Sequence, residues 1–271
     1  MAKVIFWSPT NEMSGNTHTA VAVSTIMGIS HKASCLMVNG HYDTYKIESS
    51  YTPYDELKAS GAMENSNIGL GALVRLVISN KLTSDAIKNY AKPVLKERLD
   101  ILYGLNSKDS EQYDQMVNNL QYIIRKANEA YDIVFVDLPK GQKEKYIKDT
   151  LTDSDVVVCV VNQDILKLDK FFDTISKDEI LKTKNIIYVI GDYEEGSKYN
   201  INNIRSRYRL KDLIYAIPHN YLFIDACNDG NVIDFFYRNI NADIKDYNGS
   251  FIYNTLNVAE KIIEAAKLKD I

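Results

Sequence analysis

Between Ser8 and Ala20 the chain reads SPTNEMSGNTHTA, directly after the apolar run KVIFW and directly before AVAVSTIMGIS. A strand, a turn-forming loop and a helix in this order form the frame in which backbone N–H groups meet phosphate, because a helix start has unpaired donors and a positive dipole end. Such a loop ordinarily has the spacing G-x-x-x-x-G-K-[ST]. Here it contains one glycine, Gly15, and no lysine. Ser14, Gly15, Asn16 and Thr17 are the residues placed to aim backbone donors at an anion. Thr17 also has a hydroxyl that can meet a phosphate or a metal ion, or simply cap the helix.

The second candidate is Asp137, which ends the apolar run YDIVFVD and is followed by Leu138, Pro139, Lys140 and Gly141. A carboxylate at the end of a buried strand is costly unless it is hydrogen-bonded, paired or near a metal. In nucleotide-binding enzymes such an aspartate holds Mg²⁺ through water, and the glycine beyond it lets the backbone approach the γ-phosphate. The other reading makes Asp137 the cap of the next turn. Lys140 is either a substitute cation or a solvated surface residue. The strand ASCLMVN ends in Asn39-Gly40-His41, with no carboxylate. His18, His31, His41 and His219 are too dispersed in sequence to suggest a metal site, and nothing resembles the nucleophile elbow G-x-S-x-G.

Alternating elements must position these residues. Strands are expected at 3–7, 33–39, 98–104, 131–138, 155–162, 185–192 and 213–218, several of them continuous β-branched runs suited to burial on both faces. Helices are expected at 17–30, 67–79, 111–129, 165–176, 200–208, 228–238 and 254–268. In the third of these, Tyr113, Met116, Val117, Leu120, Ile123 and Ile124 recur at three and four residues and mark one buried face. The order predicts an α/β fold: a doubly wound, mostly parallel sheet of about seven strands with helices on both faces. No linker or repeat interrupts it, so residues 1–271 are expected to form one domain. The segment 40–66 is the least regular and reads as a switch or a surface connection.

Composition narrows the function classes. The 32 Lys+Arg against 36 Asp+Glu give a net charge of −4, so no global basic field draws the chain to nucleic acid or anionic lipid. A local cluster, Arg205, Arg207, Arg209 and Lys211, could still give sequence-independent DNA affinity, or be a solvated helix end. No apolar run approaches a membrane span and no signal-peptide pattern opens the sequence, so a cytoplasmic location is expected and integral membrane contact is not. The C-terminal stripe Leu256, Ala259, Ile262, Ile263 and Ala266 reads as a core-packing helix in preference to a surface-lying membrane helix. Cys35, Cys159 and Cys227 are widely spaced among apolar neighbours, which suits core residues better than a disulfide framework.

Taken together, FWSPTNEMSGNTHT and DIVFVDLPKG resemble the deviant P-loop ATPases of the ParA/MinD class, which typically read SPKGGVGKTT in the loop. The similarity is greatest to a Gram-positive ParA-like subgroup and to TadZ-like proteins, with a degenerate Walker A motif. Laid without a gap, the lysine that crosses the dimer falls on Thr10 and the phosphate-gripping lysine on Gly15; slid by one residue, the latter falls on Asn16. The family's D-x-D after its second strand reads Asn39 and His41 here, so the water-orienting carboxylate is missing. The stretches GSKYNINNIRSRY and IPHNYLFIDACNDGNVIDFFYRN resemble late segments of the family and place Pro218 near the adenine pocket. Asp192 falls where relatives place a base-reading asparagine.

The resemblance implies ATP and Mg²⁺ as cofactors, held weakly or not at all. Ser14, Gly15, Asn16, Thr17, Asp137, Gly141 and Pro218 would bind nucleotide, with Thr17 and Asp137 nearest the metal. It implies a homodimer that positions protein cargo or assembly machinery with little or no hydrolysis and no identifiable catalytic residue. The alternative is a working plasmid or mobile-element partition ATPase that binds non-specific DNA as a nucleotide-dependent dimer. A third reading is a binding module that takes no nucleotide.

Overall fold

The computed structural model describes residues 1–9, 14–41, 45–61, 68–105, 110–141, 144–210, 214–269 and 271. Among them, eight strands form one sheet: β1 (Ala2–Trp7), β2 (Cys35–Asn39), β3 (Lys92–Leu95), β4 (Leu99–Leu102), β5 (Ile133–Asp137), β6 (Val156–Val161), β7 (Asn185–Tyr193) and β8 (Ile214–Pro218). Their order is β3-β4-β2-β5-β1-β6-β7-β8, and every neighbouring pair is parallel except β3 with β4. The expected α/β architecture is therefore present, with eight strands in place of about seven. The additional strand, β3, reads KPVL. A proline and a lysine weaken a strand pattern but are tolerated at an edge, which is where β3 lies.

The central strands are buried from end to end. IVFVD in β5, VVVCVV in β6 and CLMVN in β2 have no exposed position, so β-branched residues face helices on both sides. On one face lie α4 (Gly69–Ile78), α6 (Ser110–Asn128), α7 (Lys145–Asp153) and α8 (Ile165–Lys177), contributing Leu73, Leu120, Leu151 and Phe171. On the other lie α1 (Asn16–Ser30), α10 (Tyr221–Asn228), α11 (Val232–Asn239) and α12 (Tyr247–Ala265). Here Phe223, Phe235, Phe236 and Phe251 pack as a ring cluster with centroids 4.8–6.3 Å apart. Met116, Leu120, Ile123 and Ile124 of α6 are buried as their periodicity requires. Val258, Ala259 and Ile262 of α12 are sealed in the second core. No helix among the described residues is long and apolar enough to cross a membrane. The three cysteines are buried and free.

Among the described residues there are also four short α-helices, α2 (Lys46–Tyr51), α3 (Tyr54–Ala59), α5 (Ser84–Tyr90) and α9 (Ile201–Arg207), and one 3-10 turn (Leu181–Thr183). The first two organise 45–61, which sequence alone leaves irregular. Ile47, Glu48 and Ser50 of α2 and Leu57 of α3 are buried. Where one helix is expected at 228–238, the chain instead turns between α10 and α11 at Gly230, whose φ of 72° is left-handed. A side chain there would run into the backbone of Thr52 and Pro53.

For function, the important feature is the register. Phe6 and Asn39 both pair with Asp137, so β1, β2 and β5 end together. After β1 the chain builds one side of the sheet, and after β5 it builds the other. Ligands of open α/β sheets bind beyond the carboxyl ends of strands at such a switch point.

Candidate functional site

The crevice begins where β1 ends. Trp7 Nε1 donates to the Gly141 carbonyl (2.9 Å) and Gly141 N donates to the Ser8 carbonyl (2.9 Å), so the exits of β1 and β5 are clamped together. The chain then enters α1 through Gly15, whose φ of 71° and ψ of 19° are left-handed. The helix has no side-chain cap and no acidic residue of its own in its first turn. On the far side Gly191 of β7 lies against Ser14, and a Cβ there would collide with the Ser14 carbonyl oxygen.

Asp137 lies beneath the floor of the crevice, fully buried, under the lining residues Asn16 and Thr17. Asn16 Nδ2 donates to its Oδ1 (2.6 Å) and Thr17 Oγ1 donates to its Oδ2 (2.7 Å). His41 Nε2 lies 3.1 Å from the same Oδ2, close enough for an electrostatic contact but not aligned as a hydrogen bond. Thr17 therefore does not cap α1, and its hydroxyl is turned to the strand-end carboxylate. Above this floor is a pocket of about 370 Å³ lined by Ser14 to His18, His41, Lys46, Leu138, Lys140, Asp192 and Ile224. Three buried polar atoms at this pocket, Ser14 Oγ, Asn16 Oδ1 and His41 Nε2, have no hydrogen-bond partner. Buried polar atoms are ordinarily satisfied, so orphans gathered at one cavity fit a polar ligand. Burial holds the His18 imidazole below its ordinary pKa, with the nearby Lys46 charge adding to the effect.

A smaller cavity of about 30 Å³ adjoins the first and shares Gly15, His18, Asp192 and Ile224 with it. Pro218, Ile217, Phe223 and Phe251 make its apolar wall. Asp192, at the shared edge, has a left-handed φ of 55° and lies 2.8 Å from His219 Nδ1. A non-glycine residue in that region is uncommon and is often found at binding sites.

Beside the pocket is a second polar cluster. Asn39 Nδ2 donates to both oxygens of Glu48 (3.0 Å each), and Gly104 N donates to Oε1 (2.8 Å). The Asn39 side-chain Oδ1 accepts from His41 N (3.1 Å). Glu48 is buried, and burial pushes its carboxyl pKa up. Of the polar residues ending β2 and β5, Asp137 bonds the side chains of two pocket-lining residues, Asn16 and Thr17, whereas Asn39 bonds Glu48 and the backbone of His41.

Ser14, Gly15, Asn16, Thr17 and Asp137 thus lie together, with Gly141 bracing them and Pro218 in the adjoining cavity. His18, His41 and Lys46 are pocket residues that sequence reasoning missed, and Glu48 holds the helix that brings Lys46 there. His41 had one available signal, its place two residues beyond a strand end. Lys46 and Glu48 had none, because only the docking of α2 brings them in. Thr10 and Lys211 lie outside the described residues. Of the basic cluster, Arg207 is ion-paired with Asp169 of α8 (3.0 Å), Arg209 is exposed with a left-handed φ of 54°, and Arg205 is partly buried with its Nε unpartnered. No group of three or more His, Cys, Asp or Glu among the described residues is placed to hold a metal ion.

No protein-family model matches the sequence, and no curated protein does. Solved structures do match. A ParA family ATPase from Chlorobium tepidum superposes with a TM-score of 0.70 at 12% identity, over 96% of this chain and 97% of that one. The septum site-determining protein MinD from Pyrococcus horikoshii, complexed with Mg-ADP, superposes at 0.67 and 15% identity over 98% of both. A putative plasmid partition protein from Borrelia burgdorferi, bound to AMPPNP, superposes at 0.65 and 13% identity over 97% of this chain and 99% of that one. Sheet order, crevice and superposition agree: the chain has the fold of the ParA and MinD ATPases.

Proposed function

We propose that residues 1–271 form a single-domain positioning or assembly scaffold on the ParA/MinD fold, which binds nucleotide weakly and hydrolyses it little or not at all. Ser14, Gly15, Asn16, Thr17, Asp137 and Gly141 serve the phosphate end, and Pro218 serves the base end. The observation that carries this reading is the state of Asn16. With Thr17 turned to Asp137, Asn16 takes the place of the phosphate-gripping lysine, and one of its two amide N–H donors is taken by Asp137 (2.6 Å), leaving a single neutral N–H where the family has an ammonium. A neutral amide supplies roughly half the strength of a charge-assisted contact, and losing one preorganised donor to a developing charge commonly costs on the order of a hundredfold in rate. At the end of β2, Asn39 faces Glu48 and offers attacking water no carboxylate. The nucleotides in the Borrelia and Pyrococcus structures support nucleotide as the ligand class. A cytoplasmic homodimer acting on protein cargo completes the proposal.

One observation favours the alternative, an active partition ATPase: Lys46 and Lys140 line the pocket and restore positive charge there. Its DNA contact would rest on Arg205, Arg209 and Lys211, since Arg207 is engaged by Asp169. Hydrolysis of ATP with Mg²⁺, together with sedimentation with and without ATP, separates the two. The scaffold reading expects background turnover and an assembly state indifferent to ATP. Robust hydrolysis abolished by Asp137→Ala, or a dimer formed only with ATP, would establish the ATPase instead.

A further inference from the structure

We propose that the side-chain oxygen of Asn16 holds a monovalent cation such as potassium against the phosphates of the nucleotide, so that an ion supplies the single charge a lysine would; this rests on the reading that the pocket holds nucleotide. The orphaned atoms of the pocket are not alike. The hydroxyl of Ser14, a residue 1% exposed, has a proton to donate, whereas Asn16 Oδ1, on a residue 5% exposed, can only accept. The Asn16 amide cannot turn over to exchange its ends. Its Nδ2 donates to Asp137 Oδ1 at 2.6 Å, and a flip would set a carbonyl oxygen against a carboxylate oxygen at that distance. Asn16 lines the pocket, so its unsatisfied acceptor is left for the ligand.

A phosphate group satisfies the Ser14 hydroxyl and the backbone N–H groups that open α1, but its ionised oxygens have no proton to offer Asn16 Oδ1. Acceptor would face acceptor, so a positive group must stand between them. The chain does not supply it: Lys46 and Lys140 line the same pocket with partners of their own, and neither donates to Asn16 Oδ1. A monovalent ion suits this oxygen better than a divalent one. Mg²⁺ is ordinarily held through one or two carboxylates together with substrate phosphates. That description fits Thr17, whose hydroxyl donates to Asp137 and keeps its oxygen lone pairs for such an ion. Asn16 Oδ1 is instead a neutral carbonyl oxygen, the type of donor that replaces the hydration shell of potassium. Phosphate oxygens and water complete the shell. The divalent ion is thereby left to Thr17 and Asp137, and the monovalent ion to Asn16.

The test is calorimetric titration of the full chain with ATP at constant Mg²⁺ and ionic strength, in potassium chloride and in tetramethylammonium chloride. The methyl groups of the second cation keep it from coordinating oxygen. The wild type is expected to bind about tenfold or more tightly in potassium, about 1.4 kcal/mol. Asn16→Lys puts an ammonium where the ion would stand, and is expected to bind equally in the two salts within about twofold. Asn16→Ala, which cannot overpack if the longer side chain does, should also lose the potassium response and bind more weakly than the wild type in potassium. Circular dichroism checks that both variants fold. Potassium paired with ATP in bulk solution acts on every chain alike and drops out of the comparison. Wild-type affinity equal within about twofold in the two salts would overturn the inference and leave the nucleotide reading intact. So would a potassium response that persists in Asn16→Ala. No binding by the wild type in either salt would overturn both.

Discussion

Asp137 and Asn39 are register partners on adjacent strands, and each meets a helix residue of the complementary type. On β5 the strand supplies the carboxylate and α1 supplies the amide, Asn16. On β2 the strand supplies the amide and α2 supplies the carboxylate, Glu48. The two pairs differ in what lies beyond them. Asp137 receives donors at both oxygens and sits under a pocket with orphaned polar atoms around it. Glu48 is closed in by Asn39 and a backbone N–H, and the Cβ that Gly104 lacks would press on the Asn39 amide. A buried carboxylate is therefore not a functional residue by type. The first pair is aimed at a ligand, and the second fastens α2 across the ends of β2 and β4, which is what delivers Lys46 to the pocket.

Removing either side of each pair tests this difference. Asp137→Ala should give the largest effect, because it leaves Asn16 and Thr17 as buried donors without a partner and opens a cavity. At about 1–3 kcal/mol per charge-assisted bond, a loss of about 4 kcal/mol in urea-denaturation stability is expected. A cost near zero would mean that the floor is plastic and the clamp between β1, α1 and β5 unimportant. Asn39→Asp restores the acid that the family resemblance leads one to expect, but here it sets a second carboxylate about 3 Å from Glu48. Two such groups cannot both ionise cheaply. A destabilisation of about 3 kcal/mol near neutral pH, relieved in acid, is expected, with no gain in ATP hydrolysis. Hydrolysis appearing in Asn39→Asp would show that the second pair belongs to the site after all.

The strand–loop–helix at the start of the chain was legible because every contributor is local: a β-branched run, a left-handed glycine and a helix start. Asp137 was legible for the same reason, as an acid ending an otherwise apolar strand. The face of α6 could be read from its period. The edge strand β3 could not, since Pro93 and Lys92 suit an edge and nothing in sequence says where the edge falls. His41, Lys46 and Glu48 take their meaning from α2 lying over two strand ends, a juxtaposition that no spacing encodes. The basic cluster at 205–211 read as one patch, yet Asp169, on another helix, engages its second arginine.

The smallest effect, and the sharpest contrast between the two acids, is the pH response of Glu48. Burial holds its carboxyl above the ordinary glutamate value near 4.5, with hydrogen bonds from Asn39 and Gly104 opposing the shift. A carboxyl with a higher pKa folded than unfolded binds more protons in the folded chain. Its contribution to stability is complete below the unfolded value and is lost as pH rises towards the folded one. Glu48→Gln cannot titrate, so its stability should fall less than that of the wild type from about pH 4.5 upward. Its amide nitrogen, in place of one carboxylate oxygen, faces Asn39 Nδ2, a pH-independent cost of about 1 kcal/mol that lowers the whole curve without changing its slope. His18 and His31, held by burial below their ordinary value, tilt both curves the other way and cancel in the difference. Urea midpoints for both chains across about pH 4 to 8 supply that difference. A variant that becomes progressively more stable relative to wild type with rising pH is the expected outcome. Parallel curves would show that Glu48 titrates in the folded chain as it does in the unfolded one, and the distinction between a sealed acid and a site acid would then be lost.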